Sequence, residues 1–286
     1  MKITKVFFKQ NFPKIAKNSY KNINGKVLII AGSKTMQGAA VLNVLGAYSC
    51  GSGMVALASI PEVIKATVCT VPQALVLPLE KKSLTQIKKY IKSFEPDVLV
   101  IGCGLSALAK ETLNILKFAK VPAVIDASSL TYLASQNCKL PKDIPYILTP
   151  HIGEMKRLLK RKILNPETAA CELAQKTGAV CLLKGPITRI SDGIKTYESH
   201  AGNCGLAKAG SGDVLAGIIG ALFARLLKNY DGRKAALYAA AMGAYLHGYA
   251  ANLAAIEKVE TSLLATDVVN KLPAAIKNLL YFKKGV

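Results

Sequence analysis

The chain has 286 residues, 51% of them hydrophobic and 19% charged, with a mean hydropathy of +0.29. Such a composition excludes general disorder, and the length suffices to bury a sizeable core as one α/β domain over residues 1–286. The formal charge of +21 comes from 38 Lys and Arg against 17 Asp and Glu; the excess lysines lack interleaved arginines and stacking aromatics, so they read as a solvated surface, with steering of anionic ligands or nucleic-acid contact as the alternative.

In chain order, the opening "MKITKVFFKQNFPKIAK" lacks the continuous apolar core of a secretory signal and fits a transit peptide poorly, so a cytoplasmic location is expected. Short apolar runs then recur: 26–33, 54–59, 97–104, 122–127, 146–151 and 179–185. Each has the length and composition of a strand buried on both faces. Helical patterns fall between them at 38–50, 106–119, 153–160 and 167–177, and this alternation predicts a mainly parallel central sheet with helices on both faces. Ser33, Gly102, Gly104, Asp126, Thr149, His151 and Lys184 end these runs, where an open α/β sheet forms its ligand crevice. Beyond Asp213 three helices are expected, to about 227, from 233 to 256 and from 266 to 280. The uncharged stretch 235–256 could span a bilayer by length, but its Ala, Gly, Tyr, Asn and His247 content reads as a tightly packed buried helix.

The seven cysteines, at 50, 69, 103, 138, 171, 181 and 204, form no CxxC pair, and the three histidines have no partner at ligand spacing. A reducing compartment and no structural zinc follow, which leaves magnesium carried by a nucleotide as the metal to expect.

The segment "HAGNCGLAKAGSGDVLAGIIGALFA", 200–224, carries the chemistry. Gly210, Ser211 and Gly212 lead into a helix whose first amides and positive dipole end form an anion hole in outline, although a glycine pair before a helix also serves a tight loop. The stretch matches neither the Walker nor the dinucleotide glycine pattern. Asp213 in the first turn has a structural reading as a helix-dipole partner. Beside a phosphate it would repel the ligand unless it serves a hydroxyl that attacks that phosphate, and this pairing of base and cradle points to phosphoryl transfer.

"GNCGLAKAGSGDVLAGII" resembles the ribokinase-like superfamily, and with "KVLIIAGSKTMQGAAVLNVLGAYSCGSGMV", "VIGCGL", "VIDASSL", "ILTPHIGEMKRLL", "LLKGPITRI" and "YLHGYAA" in that order the chain is similar to the ADP- or ATP-dependent NAD(P)H-hydrate dehydratases. The resemblance implies a repair lyase that uses ADP or ATP, with magnesium, to phosphorylate the added hydroxyl of hydrated NADH or NADPH. Phosphate elimination would then restore the ring. It implies Asp213 as the base, with Ala39, Gly104 and His151 lining the damaged-cofactor site. Lys184, Gly185, Pro186, Ile187 and Thr188, with Gly212, would hold the adenine nucleotide. It implies a homo-oligomer, and no epimerase segment is expected within this chain. A small-molecule kinase of the same superfamily is the alternative, against which "LTPHIGE" speaks. His151 and Lys184 also have plain readings as a turn histidine and a solvated strand-end lysine, Glu154 reads as a helix first-turn residue, and Asn203 and Lys208 are secondary candidates. The chain departs from the family pattern at Tyr20 and Asn22, at Cys103 in place of proline, and at Ser128 and Ser129. None of these departures is expected to touch Asp213 or the glycines.

Overall fold

The structure, a computed structural model, describes residues 1–79, 84–106, 109–137 and 139–281. Among them nine strands form one sheet in the order β3-β2-β1-β4-β5-β6-β7-β8-β9. The six expected strands are present as β1 (Lys26–Ile30), β2 (Met54–Ser59), β4 (Val98–Ile101), β5 (Ala123–Ile125), β6 (Tyr146–Leu148) and β7 (Val180–Leu183). All six run parallel, in register such as Ile29 opposite Leu57 and Val100. Three further strands, β3 (Leu75–Pro78), β8 (Thr188–Ser191) and β9 (Thr196–Ser199), lie at the sheet margins. Edge strands need no doubly buried apolar run: β3 is exposed or half-buried throughout and ends in proline, and β8 and β9 form an antiparallel, partly polar hairpin.

Helices cover both faces because consecutive strand residues point oppositely. Val27 and Ile29 join the core beneath α2 (Gln37–Ser49), α9 (Ser211–Leu226), α10 (Gly232–Ser262) and α11 (Ala265–Tyr281). Leu28 and Ile30 pack on the opposite side with α4 (Leu84–Phe94), α5 (Ala109–Ala119), α6 (Ala127–Ser135), α7 (Ile152–Leu159) and α8 (Pro166–Thr177). Two shorter helices, α1 (Lys5–Asn11) and α3 (Pro61–Thr70), complete the first layer. The expected helix at 106–119 is α5, with residues 107 and 108 outside the described ones, as is Cys138. The other six cysteines are free.

The 235–256 stretch lies within α10, packed beneath the sheet, and no described helix is long and apolar enough to cross a membrane. The N-terminal lysine-rich segment is docked through α1. Phe8 is fully buried there, and Phe7 meets the rings of Tyr197 and Tyr238. Tyr20 and Asn22 sit just before β1, at the end of the sheet opposite Asp213.

Two close approaches set the positions that matter. Helices α2 and α9 cross so tightly that a Cβ on Gly217 would stand 2.1 Å from the Asn43 carbonyl oxygen. At the end of β4, Gly102 adopts φ +120, a conformation side chains resist, and a Cβ there would meet the Asp126 carbonyl oxygen at 1.8 Å. The carboxyl ends of β4 and β5 are thereby pressed together.

Candidate functional site

Beyond those carboxyl ends, four loops and one helix start converge. Asp126, following β5, occupies the N-cap of α6, yet its carboxylate makes no capping bond. It turns instead to Lys184, following β7, and the two pair at 2.8 Å with side chains 3% and 22% exposed. Lys184 is anchored by its own backbone, whose N–H donates to the Pro150 carbonyl at 2.8 Å, and by a bridge to His151. Burial works against its charge, but Asp126 and Glu154 more than offset that and raise its pKa.

Helix α9 enters above this pair. Gly210, in the left-handed region at φ +91, is its N-cap and supplies no side-chain cap, so amides of the first turn are left for a ligand. A Cβ on Gly212 would lie 3.4 Å from Lys184 Nζ and 3.7 Å from Asp126 Oδ2, which places this turn directly over the ion pair. Ser211 is buried, its hydroxyl 3.4 Å from His247 Nε2 on α10. Burial first, and the Lys184 charge second, push His247 down to about 4, so it stays neutral at physiological pH. Asp213 follows. Burial and then the neighbouring Asp126 carboxylate push its carboxyl up to about 6, opposed by the Cys103 thiol and by Lys184. A carboxylate poised there can take a proton near neutral pH.

Cys103 enters this cluster. Its thiol lies against the ion pair, donating to Asp126 Oδ2 at 3.8 Å. Burial, with the nearby carboxylates, holds the thiol well above its ordinary value, so it remains S–H. Behind it, Asn43 Nδ2 donates to Sγ at 3.1 Å.

The structure brings most of the expected residues to this place. Gly104 backs onto Ala39, whose Cβ would be 2.9 Å from a Cβ on Gly104, and lies one residue from the thiol that meets Asp126. His151 is the N-cap of α7. Its Nδ1 accepts from the Gly153 and Glu154 amides, while the Glu154 carboxylate accepts from the His151 amide, so Glu154 is explained by a capping box. The imidazole is 54% exposed, with its Nε2 3.6 Å from Glu154 Oε2, and presents an exposed edge. Gly185, Pro186, Ile187 and Thr188 form the turn into β8, exposed at Gly185 and Pro186, and are tied to the cluster through Lys184. Asn203 caps the 3-10 turn Cys204–Leu206, and Lys208 reaches the Thr261 carbonyl; both serve the loop before α9. Thr149 bonds back to Ile125. Cavities of about 470 and 330 Å³ lie elsewhere, one beside Asn252 and Glu260 and one beside Pro145 and Arg233, and neither is lined by Asp213.

Sequence reasoning left Asp126 without a role and missed Asn43 and His247. The available signals were an acid at a strand end and polar residues on buried helix faces.

Among the described residues no group of three His, Cys, Asp or Glu side chains could cage a metal. The open first-turn amides of α9, with Lys184 beneath Gly212, fit the phosphates of a nucleotide, on which magnesium would arrive.

A mainly parallel sheet with a Gly-rich anion cradle and an acid at one helix start defines a ribokinase-like α/β protein. The chain belongs to the NAD(P)H-hydrate dehydratase family, whose model matches residues 27–274. It is 34% identical over 296 residues to the bifunctional NAD(P)H-hydrate repair enzyme Nnr of Moorella thermoacetica, covering 97% of this chain and 54% of the relative. The chain thus spans about half the length of the bifunctional relatives it matches. It is 31% identical over 283 residues to the ADP-dependent (S)-NAD(P)H-hydrate dehydratase of Cenarchaeum symbiosum, covering 93% of each. Among solved structures it is similar to the ADP/ATP-dependent NAD(P)H-hydrate dehydratase of Bacillus subtilis co-crystallised with ATP/Mg2+. There the TM-score is 0.79 at 28% identity, covering 96% of this chain and 97% of that one.

Proposed function

We propose that the protein, acting as one domain, dehydrates hydrated NADH or NADPH at the expense of ADP or ATP. The observation that carries this reading is Asp213 at the first turn of α9, beside the Lys184–Asp126 pair and beneath open helix amides. The hydroxyl oxygen of the hydrate attacks the terminal phosphoryl group, and Asp213 takes the hydroxyl proton as the new P–O bond forms. The bond from that phosphorus to the nucleotide breaks, releasing AMP from ADP or ADP from ATP. The amides of Gly210, Ser211 and Gly212 meet the charge that develops on the phosphoryl oxygens, and Lys184 adds a point charge. Loss of phosphate from carbon, with a proton from the neighbouring carbon, restores the ring double bond. Magnesium supplies charge neutralisation on the nucleotide phosphates when they are bound. Ala39, Gly104 and His151 line the hydrate side, and Gly185 to Thr188 the nucleotide side. The names of the B. subtilis and C. symbiosum relatives support a nucleotide-dependent dehydration. We also infer a homo-oligomer, which light scattering tests.

The test follows the return of dihydronicotinamide absorbance when purified protein meets hydrated NADH, magnesium, and ADP or ATP. Nucleotide-dependent recovery is expected, reduced about 10²-fold or more by Asp213→Asn. Folded protein that recovers nothing with either nucleotide would overturn the reading and favour a kinase of another hydroxyl substrate.

A further inference from the structure

Asp126 stands where it could cap a helix and does not. It occupies the N-cap of α6 with extended backbone, the conformation from which an aspartate side chain accepts first-turn amides, yet it makes no such bond. The next residue, Ala127, is held at φ +46, a left-handed conformation that a residue with a side chain keeps only where its surroundings impose it. The Asp126 backbone is gripped from the other side. Its N–H donates to the Ile101 carbonyl at 3.0 Å, and its own carbonyl oxygen fills the space that a Cβ on Gly102 would need. A helix cap is thus given up, and a strained residue accepted, where one carboxylate is turned away from α6.

The carboxylate is turned to Lys184. Oδ1 accepts from Nζ at 2.8 Å and Oδ2 from the Cys103 thiol at 3.8 Å, so both oxygens are held. Among the described residues Asp126 is the partner to which the ammonium donates. Glu154, the other carboxylate that raises the Lys184 pKa, forms no ion pair with it among those residues and accepts instead from the His151 amide. A flexible four-carbon stem separates the anchored Lys184 backbone from its charge, so the backbone alone does not fix where the charge stands. Asp126 does, and it leaves Nζ 3.4 Å from the Cβ position of Gly212, with further N–H donors free for a ligand. A buried ion pair adds little net stability, because desolvation of both charges offsets their attraction, so placement is what this pair supplies.

We propose that Asp126 is a positioning residue for Lys184: it holds the ammonium beneath the first turn of α9, so that the positive charge is already in place when phosphoryl oxygens reach those amides. The role rests on the phosphoryl-transfer reading of this site. A charge fixed beforehand meets the charge that develops in the transition state without reorganising, whereas an untethered lysine follows the ground-state nucleotide. The Asp126 carboxylate also repels bound phosphate, so removing it should spare nucleotide binding and reduce turnover.

The first test needs no turnover. Protein labelled with ¹³Cε-lysine is titrated by NMR, with the Lys184 resonance assigned by its loss in Lys184→Arg. The wild-type midpoint is expected above the ordinary 10.5, and Asp126→Asn should lower it by about one pH unit or more, because burial then outweighs the attraction that remains. A wild-type midpoint below 10.5, or one that Asp126→Asn leaves unmoved, overturns the proposal. In kinetics, Asp126→Ala should lower kcat about tenfold or more with the nucleotide KM unchanged or lower, and Asp126→Asn, which keeps an acceptor of the same shape, should recover part of that loss. In a Lys184→Met background, Asp126→Asn should lower kcat by less than about twofold, because its effect runs through the lysine. A raised nucleotide KM at unchanged kcat, or the full loss repeated without the lysine, overturns the proposal as well. Thermal melts identify variants that fold, and the wild-type titration decides whether or not the Asp126 variants do. A wild type inactive on hydrated NADH whose Lys184 midpoint responds as expected would sink the dehydratase reading alone, and an active wild type with an unresponsive midpoint would sink the positioning role alone.

Discussion

Replacing Asp213 with Asn should stabilise the fold while it removes the base. Burial first, and the Asp126 carboxylate second, carry the Asp213 carboxyl from its ordinary 3.8 to about 6. A carboxyl that holds its proton more tightly when folded contributes its full stabilisation only below the unfolded value, and loses it as the pH rises through about 6. At about 1.4 kcal/mol per pH unit, the interval corresponds to about 3 kcal/mol of cost at pH 8. Partial exposure of Asp213 reduces this, and a first-turn carboxylate gains roughly 0.5 kcal/mol from the helix dipole that Asn gives up, leaving about 2 kcal/mol. For a protein of this size that raises Tm by about 3 °C at pH 8, with almost no rise at pH 4. Calorimetric melts of both proteins at pH 4, 6 and 8 measure it. A Tm difference that is the same at pH 4 and pH 8, or a drop at pH 8, would show that the Asp213 carboxylate is not strained by its surroundings, and the reasoning would fail.

Two further substitutions separate binding from stability. Gly212→Ala places a methyl 3.4 Å from Lys184 Nζ at a helical position, so stability should stay within about 1 kcal/mol while nucleotide-dependent activity falls about 10²-fold. Retained activity would move the phosphate site away from this amide. His151→Ser keeps a capping oxygen for α7 and His151→Ala does not, so only alanine should cost about 1 kcal/mol in denaturant melts. Both should raise KM for the hydrate about tenfold if the exposed imidazole edge touches it, and a wild-type KM in the serine variant would leave His151 as a cap only.

The sequence by itself determined the alternation of strand and helix. Runs such as "VLII" and "VLVI" have no polar residue to turn toward water, and a strand so composed can exist only between two covering layers. It also placed Gly210, Gly212 and Asp213 at a helix start, because a glycine-rich turn opening into a helix is written in contiguous residues. It could not show β3, β8 and β9, whose mixed composition becomes strand only through pairing at a sheet margin. Nor could it weigh Asp126, Cys103 or Asn43. These lie on three different elements, and what each does depends on contacts across 23 and 60 residues of chain. Cys103 looked remote from the site because local sequence carries no measure of its distance to Asp126. The tertiary structure decided it, by pressing Gly102 onto the Asp126 backbone and Gly217 onto Asn43, so that burial and one ion pair, properties no single segment possesses, set the chemistry of Asp213.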